Sequence, residues 1–488
     1  MKNKYSHADA QSLRGMASCN VYWLIFLLFL ASCTTKTLKA PPNIQFIYKD
    51  DLNDCVRVLK GHPQTLTPNI DRLARQSTLF THAYTAAPVC NPSRTALLTG
   101  IHPFTSGIYE NKQSMRASAV LKDAYTLPQY FRNHGYTTMG SGKIFHYSYD
   151  TLSWDQYWPS IDKIRPDDPE PTNPPLHGMP VYGRFFDWGP IDVSHAEMGD
   201  WQVAEWVSEQ LGKEYDKPFF LACGFYKPHL PWYLPQKYFD RFPLDEIVLP
   251  SVKEDDLDDV PAIGRALAKE WVPNRDIPGD SVEGDHRMVL RYEQWKQGVQ
   301  AYLAAISFAD ECLGKVLNAL ENSSYRDNTI VVLWSDHGYH LGEKLHWRKS
   351  TLWEEATRSL LMFQVPGVTQ ADIVVPSPVS LVDIYPTLVD LSELPPNPDL
   401  QGQSLKPLLK NPALDWEQPV ITTFRPGNYS IRSRHWRYTR YADGSEELYD
   451  HKIDSLEWKN LATDPQHISI KQELAEWLPK EYTPPTGK

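Results

Sequence analysis

Three short, almost uninterrupted apolar runs constrain this chain more than any other feature. Residues 42–48 read Pro-Asn-Ile-Gln-Phe-Ile-Tyr, residues 217–225 Lys-Pro-Phe-Phe-Leu-Ala-Cys-Gly-Phe and residues 329–335 Thr-Ile-Val-Val-Leu-Trp-Ser. Runs of this length without polar alternation fit strands buried on both faces. Segments of helical character lie between them, at 68–75, 127–134, 203–211 and 300–320. Strands alternating with helices predict an α/β fold with helices on both sides of a sheet. Ligands of such sheets sit beyond the carboxyl ends of the strands. All three runs end in polar clusters: Asp50 and Asp51, then Tyr226 to His229, then Asp336, His337 and Gly338.

The segment 88–100, Pro-Val-Cys-Asn-Pro-Ser-Arg-Thr-Ala-Leu-Leu-Thr-Gly, carries its own punctuation. Asn91 can cap a helix, Pro92 fits the first turn and Gly100 suits the end. Cys90 would then lie just outside a helix N-terminus, with Arg94 about one turn in. Such a place favours a thiolate or a bound anion; the plainer reading is a small buried residue beside an ordinary helix. Asp50, Asp51 and Asp336 with His337 offer three carboxylates and an imidazole. That donor set suits a hard divalent cation, and Ca²⁺ tolerates irregular arrangements better than Mg²⁺. Taken singly, Asp50 and Asp51 read as a solvated turn, Lys143 and Lys349 as surface charges, and His146 and His229 as structural histidines.

The formal net charge of -11 argues against nucleic acid as a partner and requires a local basic pocket for any anionic substrate. Lys2, Lys4 and Arg14 precede the apolar run 21–31, which is too short for a convincing membrane span and reads as a targeting segment. It closes on Leu30, Ala31, Ser32 and Cys33, similar to a bacterial lipobox. Residues 1–33 are therefore expected to be a lipoprotein signal, with Cys33 lipidated and the protein in the bacterial cell envelope; Met16 is an alternative start. With Cys19 removed, Cys33 lipidated and Cys90 set aside as the candidate for modification, Cys55, Cys223 and Cys312 remain of the six cysteines, an odd number that does not suggest a disulfide framework.

Taken together, the motifs resemble the sulfatase family. Cys90 to Arg94 followed by Leu98, Thr99 and Gly100 resembles its signature, with Asn91 a departure from the smaller residue many members carry. Residues 135–146, Gly-Tyr-Thr-Thr-Met-Gly-Ser-Gly-Lys-Ile-Phe-His, resemble the second signature, which supplies Lys143 and His146. The Lys-Pro-His-Leu-Pro stretch ending at Pro231 supplies His229, and 336–349 supplies Lys349. His337, where many members carry Asn, matches the iduronate-2-sulfatase-like branch. The resemblance implies an alkaline-phosphatase/sulfatase-like fold, a large mixed β-sheet flanked by helices with a smaller C-terminal α+β domain. It places the catalytic domain at 41–410 and the small domain at 416–488.

The same resemblance implies a chemistry. Cys90 is converted by a maturation enzyme to formylglycine, whose hydrate is the nucleophile. Ca²⁺ is held by Asp50, Asp51, residue 90, Asp336 and His337. Lys143 and Lys349 neutralise the sulfuryl oxygens, and Arg94 orients the formylglycine. Asp50 or Asp336 helps to deprotonate the nucleophile, His229 or Lys349 protonates the leaving sugar oxygen, and His146 takes the proton that releases sulfate. The expected substrate is a sulfated carbohydrate, with glycosaminoglycans and ulvan as candidates. A phosphonate or phosphodiester hydrolase of the same superfamily and a catalytically silent sugar-binding lipoprotein are the alternatives. Of two long irregular stretches, 148–199 is expected to wall the pocket, and the acidic patch 254–259 in 233–291 to be solvated surface. Past residue 398, short strand runs around 422–450, a hairpin turn at 442–445 and a final helix at 468–478 indicate a small α+β domain, and the resemblance implies an antiparallel sheet within it.

Overall fold

Asn43–Lys49 lies inside a nine-stranded sheet, between Phe219–Phe225 and Thr329–Ser335, and pairs in parallel with both. The full order is Ile373–Val375, Thr78–Tyr84, Arg358–Gln364, Thr329–Ser335, Asn43–Lys49, Phe219–Phe225, Thr137–Gly142 and Gln156–Trp158. Val379–Ser380 pairs with Thr78–Tyr84 off this path. Arg358–Gln364 runs antiparallel to both its neighbours, which makes the sheet mixed. The computed structural model describes residues 40–146, 150–160, 163–179, 186–269 and 284–487. The apolar run 21–31 and Cys33 lie outside the described residues. Among those described, no helix is long and apolar enough to cross a membrane.

The pleat explains why the strands read as continuous apolar runs. Ile44, Phe46 and Tyr48 pack with Phe220, Ala222, Val332 and Trp334 in one core. Ile47 packs with Leu221, Cys223 and Leu333 in the other. Successive side chains enter opposite layers, so both parities are mainly apolar, and the exception, buried Gln45, donates to Leu221 O at 3.3 Å. The first core is covered by residues of Cys90–Thr99, Leu127–Asn133 and Ile384–Leu391, the second by Gly199–Leu211 and the long helix Trp295–Glu321. Cys55, Cys223 and Cys312 are buried and unpaired.

Val420–Thr423, Tyr429–Arg432, Trp436–Arg440 and Glu446–Asp450 form a four-stranded antiparallel sheet, followed by the helix Ile468–Ala475. Buried charges join this sheet to the large one. Arg437 Nε bonds Glu457 at 2.5 Å, Arg432 Nε bonds Glu354 at 3.1 Å, and Glu354 also accepts the Tyr84 hydroxyl at 2.8 Å. The acidic stretch 254–259 is not simply solvated. Asp256 is buried against Lys344 at 2.8 Å, and Asp259 accepts the Asn460 N–H at 2.9 Å. The buried Lys344 ammonium needs a counter-charge, and this patch supplies it.

Arg437→Met leaves Glu354 and Glu457 short of a buried partner, which should cost about 3–5 kcal/mol and be read as a lowered melting temperature. Burial opposes ionisation of Glu457, but Arg437 and His451 outweigh it and hold the carboxyl down to about 2 from 4.5. That part of the stability is present above pH 4.5 and lost as pH falls toward 2. The wild-type melting temperature should therefore fall more steeply than the variant's over that window.

Candidate active site

The carboxyl end of Asn43–Lys49 sorts its charges by strand alternation. Lys49 turns to the helical layer and donates to Ala309 O at 2.6 Å. Tyr48 and Asp50 share the other side, where the Tyr48 hydroxyl donates to the wholly buried Asp50. Asp51 is left-handed at φ 58, a conformation aspartate tolerates better than most residues. The Tyr302 hydroxyl donates to its carbonyl at 2.7 Å, and its N–H donates to Asp336 Oδ1 at 3.2 Å.

The helix expected after Asn91 begins one residue earlier than its proposed cap. Cys90–Thr99 is helical, with Val89 extended at φ -148, ψ 135 as N-cap and no side-chain cap bond. Asn91 instead donates from its side chain to the carbonyls of Glu110 at 3.0 Å and Gln113 at 2.9 Å, so it ties down a loop. Gly100, at φ 70, ends the helix as expected. Cys90 is wholly buried, and burial pushes its thiol up despite the pull of Lys349 and Lys143. The expected thiolate is therefore not favoured. Cys90 Sγ lies 3.0 Å from Lys349 Nζ and 3.4 Å from His337 Nε2. Arg94 bonds Asp50 at 2.7 Å, pairs with Asp336 at 3.3 Å and donates to the carbonyls of Lys143 and Ile144. Asp50 and the two carbonyls, not Cys90, take its hydrogen bonds, and its guanidinium stacks 3.8 Å from the Tyr48 ring centre.

The neighbouring strand ends bring in the other cations and imidazoles. Gly142 is left-handed at φ 82, and a Cβ there would lie 2.0 Å from Gly224 O. Only glycine permits this approach, which lets the Lys143 N–H reach Gly224 O at 3.0 Å while Lys143 Nζ pairs with Asp50. His146 is buried, and burial with Lys143 and Arg94 beside it holds its pKa far down. His229 Nδ1 is 2.5 Å from Leu230 O, which leaves Nε2 directed to the site, 3.9 Å from Asp51 Oδ2. Burial, then Lys349 and Lys143, hold His229 well below the usual histidine range. Lys349 pairs with Asp51, and the N–H of the next residue, Ser350, donates to Pro88 O at 3.1 Å. Burial opposes its charge, but Asp51 and the other acids outweigh burial and hold it protonated.

Three cations, Arg94, Lys143 and Lys349, thus face three carboxylates, Asp50, Asp51 and Asp336. Asp51, Cys90, Asp336 and His337 bring ligand atoms within 4.8 Å of one another. Asp50 groups with Asp51 and His229 instead, so four of the five expected ligands form one cluster and the fifth adjoins it. The donors fit a hard cation. Asp336 Oδ2 is buried without a hydrogen bond. His337 Nδ1 lies 2.9 Å from Gly338 O, so that nitrogen carries the proton and Nε2 presents its lone pair to the cluster. Burial opposes ionisation of Asp336, but the positive charge around it, including Arg94 and the two lysines, keeps its carboxyl well below the usual range. Sequence reasoning missed Tyr48 and Tyr302. Tyr48 stands two residues before Asp50, the strand period, and was findable; Tyr302, on a helix some 250 positions away, gave no signal.

The sulfatase family profile matches residues 42–394, and the profile described as N-sulphoglucosamine sulphohydrolase, C-terminal, matches residues 342–483. A sulfatase of Formosa agariphila is 39% identical over 479 residues, covering 94% of this chain and 92% of that protein. Mouse iduronate 2-sulfatase is 29% identical over 533 residues, covering 88% and 93%. The solved phosphonate monoester hydrolase of Agrobacterium radiobacter superposes with a TM-score of 0.71 at 23% identity, covering 89% and 94%, and at that identity speaks for the fold alone.

Burial and the raised thiol pKa make unmodified Cys90 inert in the native state. Iodoacetamide at pH 8 should leave Cys55, Cys90, Cys223 and Cys312 unlabelled in folded protein, by peptide mass, and label all four after denaturation. Rapid native labelling of Cys90 would contradict the geometry.

Proposed function

The chain belongs to the sulfatase family and is a sulfuric ester hydrolase, and from that premise we propose that it desulfates uronate-containing carbohydrates, with residue 90 as formylglycine and Ca²⁺ in the adjoining cluster. The observation that carries this reading is the charged set at one end of the sheet, with Lys349 on Cys90, Lys143 on Asp50 and His229 beside Asp51, around the four-donor group Asp51, Cys90, Asp336 and His337. The mouse relative, an iduronate 2-sulfatase by name, supports the sugar class.

Asp51, Asp336 and His337 would hold the ion with residue 90, and Asp50 would adjoin it. When bound, the cation supplies Lewis-acid stabilisation of a sulfuryl oxygen, and the formylglycine hydrate supplies the attacking hydroxyl and a second one whose deprotonation releases sulfate. The protein's own groups do the rest. Lys143 and Lys349 neutralise the remaining sulfuryl oxygens in a largely buried site, where such charges act more strongly than in water. Arg94 acts at one remove, by fixing Asp50, Asp336 and the backbone of Lys143. His146, kept neutral by burial and the nearby cations in the resting site, is assigned by the family resemblance as the base, and a bound sulfate would offset those cations so that it can take the proton. His229 is assigned as donor to the leaving sugar oxygen, since Nδ1 is committed to Leu230 O and Nε2 is available. The negative charge of a bound sulfate offsets the lysines that depress its pKa and lets Nε2 carry the proton. Lys349 lies closer to Cys90 and Asp51, which suits the nucleophile side. We further propose export as a lipoprotein anchored through Cys33 in the bacterial envelope; radiolabelled palmitate that fails to incorporate, or that incorporates equally into Cys33→Ala, would contradict this.

Mass spectrometry of sulfated uronate oligosaccharides after incubation tests the substrate class; no desulfated product from any, with turnover of an aryl sulfate intact, would refute it. Co-expression with a maturation enzyme should convert Cys90 to an aldehyde-bearing residue, seen as loss of sulfur from its peptide. Cys90→Ala and Cys90→Ser should fold normally and lose at least about 10³-fold in kcat; full activity in the serine variant would sink the nucleophile assignment.

Metal dependence has a readout independent of turnover. Ca²⁺ added to chelated protein at about 100 times Kd should stabilise it by about 2.7 kcal/mol, seen as a raised melting temperature. Asp336→Asn should remove most of the rise, and an equal rise in that variant would place the ion elsewhere.

A further inference from the structure

Two charges from the stretch 163–179, which supplies none of the site residues above, grip one of the site's loops. The Arg165 guanidinium lies 3.7 Å from the centre of the Tyr226 ring. Asp168 lies 3.5 Å from Arg165 and 3.3 Å from Lys227 Nζ, which also donates to Pro231 O at 2.7 Å. Asp200 accepts the backbone N–H groups of Tyr226 and Lys227, both at 2.7 Å. The base of the His229 loop is thereby fixed. Tyr226 then touches two groups of the site: its ring centre is 4.7 Å from that of His229 and 5.1 Å from Lys143 Nζ. Its hydroxyl donates to Leu230 O at 2.9 Å, the same carbonyl that holds His229 Nδ1.

We propose that Tyr226, clamped by Arg165, is a positioning residue that aims His229 Nε2 at the leaving-group oxygen. An imidazole held by one hydrogen bond can still swing about its side-chain torsions. A ring against its face and a shared acceptor remove that freedom. A cation stacked on the ring holds the ring itself, because the negative aromatic face attracts a guanidinium. Proton transfer depends steeply on such aim, with a displacement of about 1 Å costing up to about 10²-fold. The inference rests on His229 being the donor, so its test separates the two ideas.

Arg165→Ala should lower kcat on a 2-O-sulfated uronate disaccharide about tenfold with KM within about twofold. On 4-nitrophenyl sulfate, whose phenolate leaves without help, kcat should fall less than about threefold. Arg165→Lys, which keeps a cation over the ring, should recover most of the loss. In a His229→Ala background, Arg165→Ala should add less than about twofold, because the two act as one unit. Rates are normalised to the formylglycine content of each preparation. Arg165→Gln, which can still bond Asp168, replaces the alanine variant if that one melts below assay temperature. A raised KM with unchanged kcat would make Arg165 a substrate contact and overturn the proposal, as would an undiminished loss in the double variant. If His229→Ala alone slows both substrates equally, the donor assignment fails, while the double variant still judges the clamp.

Discussion

Everything at the site depends on holding like charges together in a dry interior. Lys143 and Lys349 would repel one another beside a buried thiol, and Asp50, Asp51 and Asp336 would do the same, if either set stood alone. Interleaved, with Arg94 bridging Asp50 and Asp336 and each lysine on its own aspartate, the formal charges of the six groups balance, although burial pushes the Asp50 carboxyl up. Removing one partner from such a set leaves a charge without solvent or counter-ion, which is why buried pairs are costly to break even where their net contribution is small. A divalent cation among Asp51, Asp336 and His337 would tip the balance positive. A sulfate monoester would tip it back.

The sheet makes this possible at small backbone cost. Parallel strands deliver their carboxyl ends to one edge, so Asp50, Lys143, Tyr226 and Asp336 converge although as many as 286 positions separate them. Each strand is anchored in two apolar layers, and the polar residues stand one step beyond that anchorage. This arrangement was legible in the sequence, because apolar runs that stop abruptly at charges mark strands and strand ends. The short C-terminal strands and their hairpin were legible from strand-like runs broken by turn residues around 443 and 444, while the four-stranded antiparallel sheet they form was implied by the family resemblance.

What the sequence did not disclose belongs to contacts between distant segments. Asn91 has the composition of a helix cap, yet its side chain serves the 110–113 loop, and an extended Val89 opens the helix without any cap. Local propensity named the right residues and the wrong partner. Cys90 at a helix entry with Arg94 one turn in suggested a thiolate, but complete burial outweighs the pull of Lys349 and Lys143. The acidic stretch 254–259 looked like surface because Lys344, which pairs with Asp256, lies 88 positions on.

Tyr302 shows how far the supporting shell lies from anything a motif could reveal. Its hydroxyl sits 2.7 Å from the Asp51 carbonyl and 3.0 Å from the Asn53 N–H. It is carried by the 27-residue helix that also covers one face of the sheet. A left-handed aspartate costs energy, and such strain persists only where the surroundings over-determine it. Here the surroundings are a hydroxyl on a packed helix and a carboxylate on the adjacent strand end, both rigid because the apolar core is rigid. Core and site are therefore one mechanical system. The helix that buries Ala305 and Phe308 against the sheet also fixes the angle at which Asp51 faces Cys90.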